Sequence, residues 1–355
     1  MPTIHDVAKE AGVSVKTVSR VLHNQELVKS KTRDKVHKAI ASLNYAPTAM
    51  ARHLVGGTAS GIGMLYGDPS SGYQARLNHA MLKACSEAQR YLAVELFDER
   101  SSAWVDQLER FLDRTKVNYM VLVPPMCDSL ELHDVLHRRK IRFVLISPSR
   151  PIAGANVITM DDRLAGYEAT KYLIDMGHKR VAHITGHEKH IVTYLRRRGY
   201  EEAILDSNID LDFDDYIQNG RFRFKEAMTC AEKLFSLKAP PTAIFAANDQ
   251  MALAVMMVAQ KRGLRLPEDL SIMGFDNAHI SESVWPPLTT IGQPYDEIST
   301  SAVSLLNINS NENGFPSVMQ HTLIERGSVM KIQCCLLYTS PSPRDATLSR
   351  MPSSA

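Results

Sequence analysis

The sequence predicts an α/β protein: an all-α helix-turn-helix head followed by a two-lobed, doubly wound parallel-sheet body. Three observations predict it. Residues 1–45 carry only helical periodicity. From Gly61 on, short apolar runs alternate with helical segments, the pattern of parallel strands covered on both faces. These strand–helix units are too many for one ordinary open sheet, and two lobes accommodate them economically.

Taken in order, Thr3 precedes Ile4-His5-Asp6 as an N-cap with an acid in the first turn, and Val7, Ala8 and Ala11 follow at helical spacing. Gly12-Val13 breaks that helix. Ser14 caps a second one, with Val15, Val18, Val21 and Leu22 on one face. A third helix is expected over 32–43, ending before Pro47. Segment 48–60 can form only a turn or two of helix, too short to stand alone, and then Gly56-Gly57-Thr58-Ala59-Ser60 reads as linker.

The body is expected to place strands at 61–66, 91–97, 117–123, 141–147, 180–185, 216–218, 242–247 and 270–275. Helices are expected at 73–90, 103–114, 130–140, 162–176, 191–206, 224–235 and 249–262. Ligands of such sheets bind at the carboxyl ends of the strands. The stretch from Met330 on has neither period. It is rich in Ser, Pro and Thr, and it resembles translated sequencing-adaptor read-through, so 330–355 is expected to be non-native.

The 355 residues are 44% hydrophobic and 23% charged, ordinary for a globular protein, and no apolar run is long enough to span a membrane. No secretory leader is read at the start, and Cys85, Cys127 and Cys230 show no paired spacing, so buried thiols in a cytoplasmic protein are expected. The net charge of +2 hides its distribution: residues 1–60 carry +5, the last 26 carry +2, and the stretch between carries −5. A basic head on an acidic body points to an anionic partner for the head alone.

Two short helices joined at Gly12 form a helix-turn-helix, with small Ala8 at the close approach and Val13 and Val18 as filling. Val15, Lys16, Thr17, Ser19 and Arg20 then lie on or beside the outward face of the second helix, whose N-terminal end enters a major groove. Ser14 and the helix N-terminus suit a phosphate, Arg20 has the fork that reads guanine, and Lys16 suits either. Lys29, Lys31, Arg33, Lys35 and Lys38 are weaker phosphate candidates.

TIHDVAKEAGVSVKTVSRVLHN and VHKAIASLNYAPTAMARHL resemble the head of the lactose/galactose repressor (LacI/GalR) family of bacterial transcription factors. The likeness continues through DDRLAGYEATKYLIDMGHKRVAHITG, RRRGYEEAI, IFAANDQMALAVM, LPEDLSIMGFDN and PPLTTIGQPYDEI, covering 3–329. The resemblance implies a DNA-binding domain over 1–46, a hinge helix and linker over 47–60, and an effector-binding and dimerisation domain over 61–329. Within that domain the N-lobe is expected at about 61–160 and 292–320, and the C-lobe at about 161–291 and 321–329. It further implies a non-enzymatic homodimer, possibly a tetramer, on near-palindromic double-stranded operator DNA. A sugar or sugar-derived effector would release it, and no cofactor is required.

By the same resemblance, Thr3, Asn24, Lys29 and Tyr45 join the DNA-contacting candidates. Ala51 and Leu54 belong to a hinge helix that forms on operator DNA, with Leu54 wedged into a base step. Arg196, Asn248, Asp276 and Gln293 correspond to positions that hydrogen-bond sugar hydroxyls, Phe222 to an aromatic that stacks on a sugar face, and Tyr73 to the opposite wall. SGYQAR (71–76) and SPSRPI (147–152) depart from the family's ligand-contacting pattern, and Arg196-Arg197-Arg198 would suit an acidic sugar. His183, His187, His190 and Glu188 lack metal-site spacing, and GIGMLYG lacks the third glycine of a dinucleotide loop. The alternative function is a soluble solute-binding or carbohydrate-processing protein of the same two-lobed fold; the helix-turn-helix counts against it, and no nucleophile–base constellation such as GxSxG occurs.

Overall fold

The structure, a computed structural model, describes residues 2–22, 28–43, 45, 61–67, 71–97, 101, 103–150, 152, 154–307 and 316–332. The chain divides into two compact units. The first holds Met1–Thr159 and Tyr295–Met319, and the second Met160–Pro294 and the chain from Gln320 on.

Three helices build the head: α1 (Ile4–Ala11), α2 (Val15–Leu22) and α3 (Ser30–Ser42). Thr3 and Asp6 close a capping box at the start of α1, and Gly12 ends it at φ 64°, in the left-handed region open to glycine. Ser14 Oγ accepts from Thr17 N at 3.2 Å and so caps α2. Val7, Ala8, Ala11, Val18, Val21, Val36, Ala39 and Tyr45 fill one small core.

Each unit carries a six-stranded sheet. In the first, β1 (Gly61–Tyr66), β2 (Tyr91–Leu96), β3 (Tyr119–Leu122), β4 (Arg142–Ile146), β5 (Asn156–Met160) and β11 (Pro316–Met319) lie in the order β11-β5-β4-β3-β1-β2. In the second, β6 (Val181–Thr185), β7 (Ile217–Asn219), β8 (Ala243–Ala246), β9 (Ser271–Asp276), β10 (Thr289–Gly292) and β12 (Thr322–Ile324) lie in the order β12-β10-β9-β8-β6-β7. The pattern is the same in both: fifth, fourth, third, first and second strand, with one late strand at the edge. Pairing within the first five strands of each unit is parallel, and β12 joins β10 antiparallel.

Alternate residues of a strand face opposite sides. Ile62, Met64 and Tyr66 of β1 therefore pack with the Gly72–Glu87 and Tyr295–Asn307 helices, while Leu65 packs with the Trp104–Thr115 and Leu130–Arg138 helices. In the second unit, Ala182 and Ile184 pack with the Phe224–Phe235 and Asp249–Lys261 helices, and Val181 with Asp162–Asp175 and Ile191–Asp206.

The alternation of runs did not pick out β5, β10, β11, β12 or the Tyr295–Asn307 helix. The end of the second unit also extends past the expected 329. Met330 N donates to Ser271 Oγ at 3.0 Å and Ile332 N to Met176 O at 2.8 Å, so Met330–Ile332 belong to the packed chain. The expected non-native stretch from 333 on lies outside the described residues. Cys85, Cys127 and Cys230 are buried and free, and burial pushes each thiol up, Cys85 to about 11.

Candidate DNA-binding head and effector site

In the head, Lys16 and Arg20 are exposed one turn apart on α2, so both project from one face. Thr17 and Ser19 are half-buried beside them. Val15 is half-buried against the head core, which leaves part of its side chain for an apolar contact. The Ser14 hydroxyl lies 2.9 Å from that of Thr17, at the α2 N-terminus where backbone N–H groups favour an anion. Thr3 donates its hydroxyl to Asp6 at 2.7 Å, and that bond holds the Asp6 carboxyl below its ordinary range. Lys29 is exposed at the start of α3. Tyr45 is only 7% exposed and packs in the head core, with Tyr45 N donating to Ile40 O. Asn24, Ala51 and Leu54, and with them the expected hinge helix, lie outside the described residues.

In the second unit the strand order reverses between β6 and β8, the topological switch point where open α/β sheets receive ligands. The helices that follow these two strands, Ile191–Asp206 and Asp249–Lys261, carry Arg196 and begin at Asn248 respectively. Arg196 is 4% exposed. Its Nε and Nη2 both donate to Asp162 Oδ1 at 2.8 Å, and its Nη1 donates to Ala247 O at 2.7 Å. Its guanidinium carbon sits 3.5 Å from the centre of the Phe275 ring. Two glycines make this possible. A Cβ on Gly166 would stand 2.4 Å from Arg196 O, and one on Gly199 2.0 Å from Arg163 O, so the two helices cross backbone to backbone and bring Asp162 under Arg196.

Asp276 ends β9 at φ 103° and accepts from Gln293 Nε2 at 2.6 Å. Burial pushes its carboxyl up to about 6, against the opposing pull of Arg196 and Gln293. Behind it, Asp249 is fully buried and accepts from Ala278 N and Thr290 Oγ1, both at 2.6 Å. Burial, then the neighbouring Asp276, raises it to about 8. Gly274 is the cradle: a Cβ there would stand 2.2 Å from Asp249 Oδ1. Asp162 is also pushed up by burial, with Arg196 opposing.

Asn248 caps its helix, with Oδ1 accepting from Met251 N at 2.8 Å, so its carbonyl is committed to the fold. Phe222 and its neighbour Arg221 both adopt positive φ, 59° and 53°, a strained pair that lays the Phe222 ring where a Gly186 Cβ would be. His190 meets that ring edge-on at 5.8 Å. The second unit thus brings Arg196, Asp276 and Gln293 together, with Asn248 beside Ala247, while Phe222, which follows β7, lies against Gly186 just after β6. Tyr73 belongs to the first unit, where its ring lies 5.8 Å from that of Tyr295.

Arg197 and Arg198 do not join this cluster. They are exposed and pair with Glu201 and Glu202 one turn on. His183 is fully buried between the Tyr200 and Phe245 rings and donates from Nδ1 to Phe245 O, and burial drives its pKa down to about 3. Among the described residues no group of three His, Cys, Asp or Glu could hold a metal ion. Sequence reasoning placed Asp249 with Asn248 at a strand end but missed Asp162, Phe275 and Thr290; the paired acid at Asp161-Asp162 opening a helix was the available signal.

This arrangement, a helix-turn-helix head and doubly wound sheets with a polar cluster at the strand ends, defines a regulator. Residues 3–48 match the bacterial regulatory proteins of the lacI family, and 170–329 match the periplasmic binding protein-like domain. The HTH-type transcriptional repressor PurR of Vibrio vulnificus is 35% identical over 94% of this chain and 100% of its own, and that of Histophilus somni (strain 129Pt) 33% identical over 92% and 96%. Among solved structures, the transcriptional regulator CelR–cellobiose complex is 26% identical at TM-score 0.68, covering 92% of this chain and all of that one. The lac repressor dimer bound to operator and the anti-inducer ONPF, 24% identical at TM-score 0.78 over 93% of this chain and 99% of that one, shares the fold. The chain belongs to the lacI family of bacterial regulatory proteins. It is a transcriptional regulator with a DNA-binding head and an effector-binding body, and not an enzyme. No helix among the described residues is long and apolar enough to cross a membrane.

Proposed function

We propose that this regulator represses carbohydrate-utilisation genes and leaves its near-palindromic operator when a neutral sugar binds the second unit. The observation that carries the effector reading is the Asp276–Gln293 pair beside Arg196, whose charge is paired with Asp162. Asp276 Oδ1 holds Gln293, and Oδ2 can accept from a sugar hydroxyl. Phe222, placed by strained backbone, offers an aromatic face. Arg196 already carries Asp162, and Arg197 and Arg198 pair elsewhere, which favours a neutral sugar over a sugar acid. The PurR names of the relatives and the His190–Phe222 contact favour a second reading, a flat nitrogen heterocycle.

The domain reading assigns the head to 1–46, the hinge to 47–60 and the effector body to the chain beyond. The protein would act in the cytoplasm as a homodimer. Met257, Ile280 and Trp285 in the second unit, and Leu82, Val94 and Leu96 in the first, are exposed apolar side chains available to a second copy. A thermal-shift panel of cellobiose, ribose, neutral hexoses, sugar acids and nucleobases on the full chain tests the effector. A neutral sugar should raise the melting temperature of the wild type and not of Asp276→Asn. Stabilisation by nucleobases alone would replace this reading with the second.

A further inference from the structure

We propose that Arg326 is the positioning residue of the effector site, holding Asp276 in the conformation that presents its carboxylate; this rests on the reading of Asp276 as an effector contact. Asp276 and Asn277 both have positive φ, 103° and 50°, conformations that non-glycine residues keep only when their surroundings impose them. Little in their own sequence imposes them, since the chain leaves β9 at Asp276. Ala278 N on Asp249 and Asn277 N on Thr290 Oγ1 hold the backbone from one side, and the constraint on the Asn277 side chain and the segment after it comes from Arg326, just beyond β12 on the far side of β10.

The Arg326 side chain is 15% exposed, and its guanidinium is almost fully subscribed. Nη2 donates to Asn277 Oδ1 at 2.7 Å and to Glu282 Oε1 at 3.1 Å. Nη1 donates to Leu288 O at 2.8 Å and Ser281 Oγ at 3.1 Å. Its own N–H donates to Thr289 Oγ1 at 2.9 Å. One planar group therefore ties together both ends of the 277–288 segment and the short Ile280–Ser283 helix within it. A lysine ammonium reaches fewer of these acceptors at once. The outer side of the same segment carries Ile280 and Trp285, which is 82% exposed.

The titratable groups around Asp276 are Arg196 and Asp162 from two helices and Asp249 from a third, with Arg326 acting on Asp249 from β12's end. Carbon-13-labelled aspartate in the full chain lets the Asp276 carboxyl be titrated without any ligand. In Arg326→Met the loop loosens and Asp276 hydrates. Its titration should move from about 6 toward the ordinary carboxylate range near ~4, and the amides of 277–281 should lose about tenfold or more of their hydrogen-exchange protection. Amides of the Asp162–Asp175 helix should keep theirs, and Arg326→Lys should restore part of both signals. Asn277→Gly keeps the left-handed backbone but removes one acceptor, so it should move both signals the same way by less. Unchanged titration and exchange in a folded Arg326→Met overturn the proposal; if that variant does not fold, unchanged signals in Asn277→Gly overturn it. Sugar binding that survives Asp276→Asn would instead sink the effector reading and leave the Arg326 result standing.

Discussion

Arg196→Met should destabilise the second unit by about 3–5 kcal/mol at pH 8. The magnitude follows from burial. The two side chains of the Arg196–Asp162 pair are 5% and 4% exposed, so removing the guanidinium strands a carboxylate in a site water does not reach, and breaking such a pair costs about 3–5 kcal/mol. The loss includes the bond to Ala247 O and the stacking on Phe275, while methionine retains much of the volume. The pH dependence is the sharper test. Burial already pushes Asp162 up, and Arg196 is what opposes it. Without Arg196 the folded carboxyl rises further above its unfolded value near ~3.9. A raised folded value gives stability that is complete below the unfolded value and is lost as pH climbs toward the folded one, by at most about 1.4 kcal/mol per pH unit. Urea unfolding followed by circular dichroism should therefore show a smaller cost at pH 5 than at pH 8. Asp162→Asn combined with Arg196→Met should recover about 2 kcal/mol or more of the pH 8 loss, because no charge is then stranded. A pH 8 cost below about 1 kcal/mol, equal costs at the two pH values, or a double variant no better than the single would each refute the argument.

Gly166→Ala should lower the melting temperature, by about 1–3 kcal/mol of stability or more, because its Cβ would meet Arg196 O at 2.4 Å and backbone cannot swing away. Asp249→Asn should flatten the fall in stability between pH 5 and pH 8. The wild-type carboxyl, raised to about 8, favours the fold only while protonated, and an asparagine can accept from Ala278 N and donate to Thr290 Oγ1 as the protonated acid would. Arg20→Ala should erase preference at one base pair per half-site in an operator-binding assay, and uniform weakening across all sequences would identify Arg20 as a phosphate contact instead.

The head was the most legible part of the chain because its signals are local. Thr3 and Asp6 cap within one turn, Gly12 is needed at the residue where φ turns positive, and Lys16 and Arg20 share a face by helical period alone. The burial of Tyr45 was less legible: it packs against Val7, Val36 and other residues of all three helices, which no local pattern records. In the body, the Ile191–Asp206 and Phe224–Phe235 helices matched expectation to the residue, because long apolar periodicity decides them. Strands β5, β10 and β12 were missed because they are short, 5, 4 and 3 residues, and pairing rather than a local apolar run makes them strands. β10 owes its place to β9 on one side and β12 on the other.

The same distinction governs the candidate effector site. Arg196, Asp276 and Gln293 could be named from the sequence, but their charge state could not, because it depends on partners that only the fold supplies. Among the described residues of the cluster, three buried carboxyls, on Asp162, Asp249 and Asp276, face two guanidinium groups, on Arg196 and Arg326. Asp162 takes Arg196. Arg326 acts on Asp249 but spends its donors on the 277–288 segment. A proton on Asp249, whose carboxyl is raised to about 8, leaves two carboxylates facing two guanidinium groups at neutral pH, a balanced count. On the proposed reading, a neutral polyol would leave that balance undisturbed, whereas an anionic ligand would add an unbalanced negative charge. That balance supports the proposed uncharged effector, and the arginine triplet that suggested acidity in the sequence is divided between one residue paired with Asp162 and two paired on the surface.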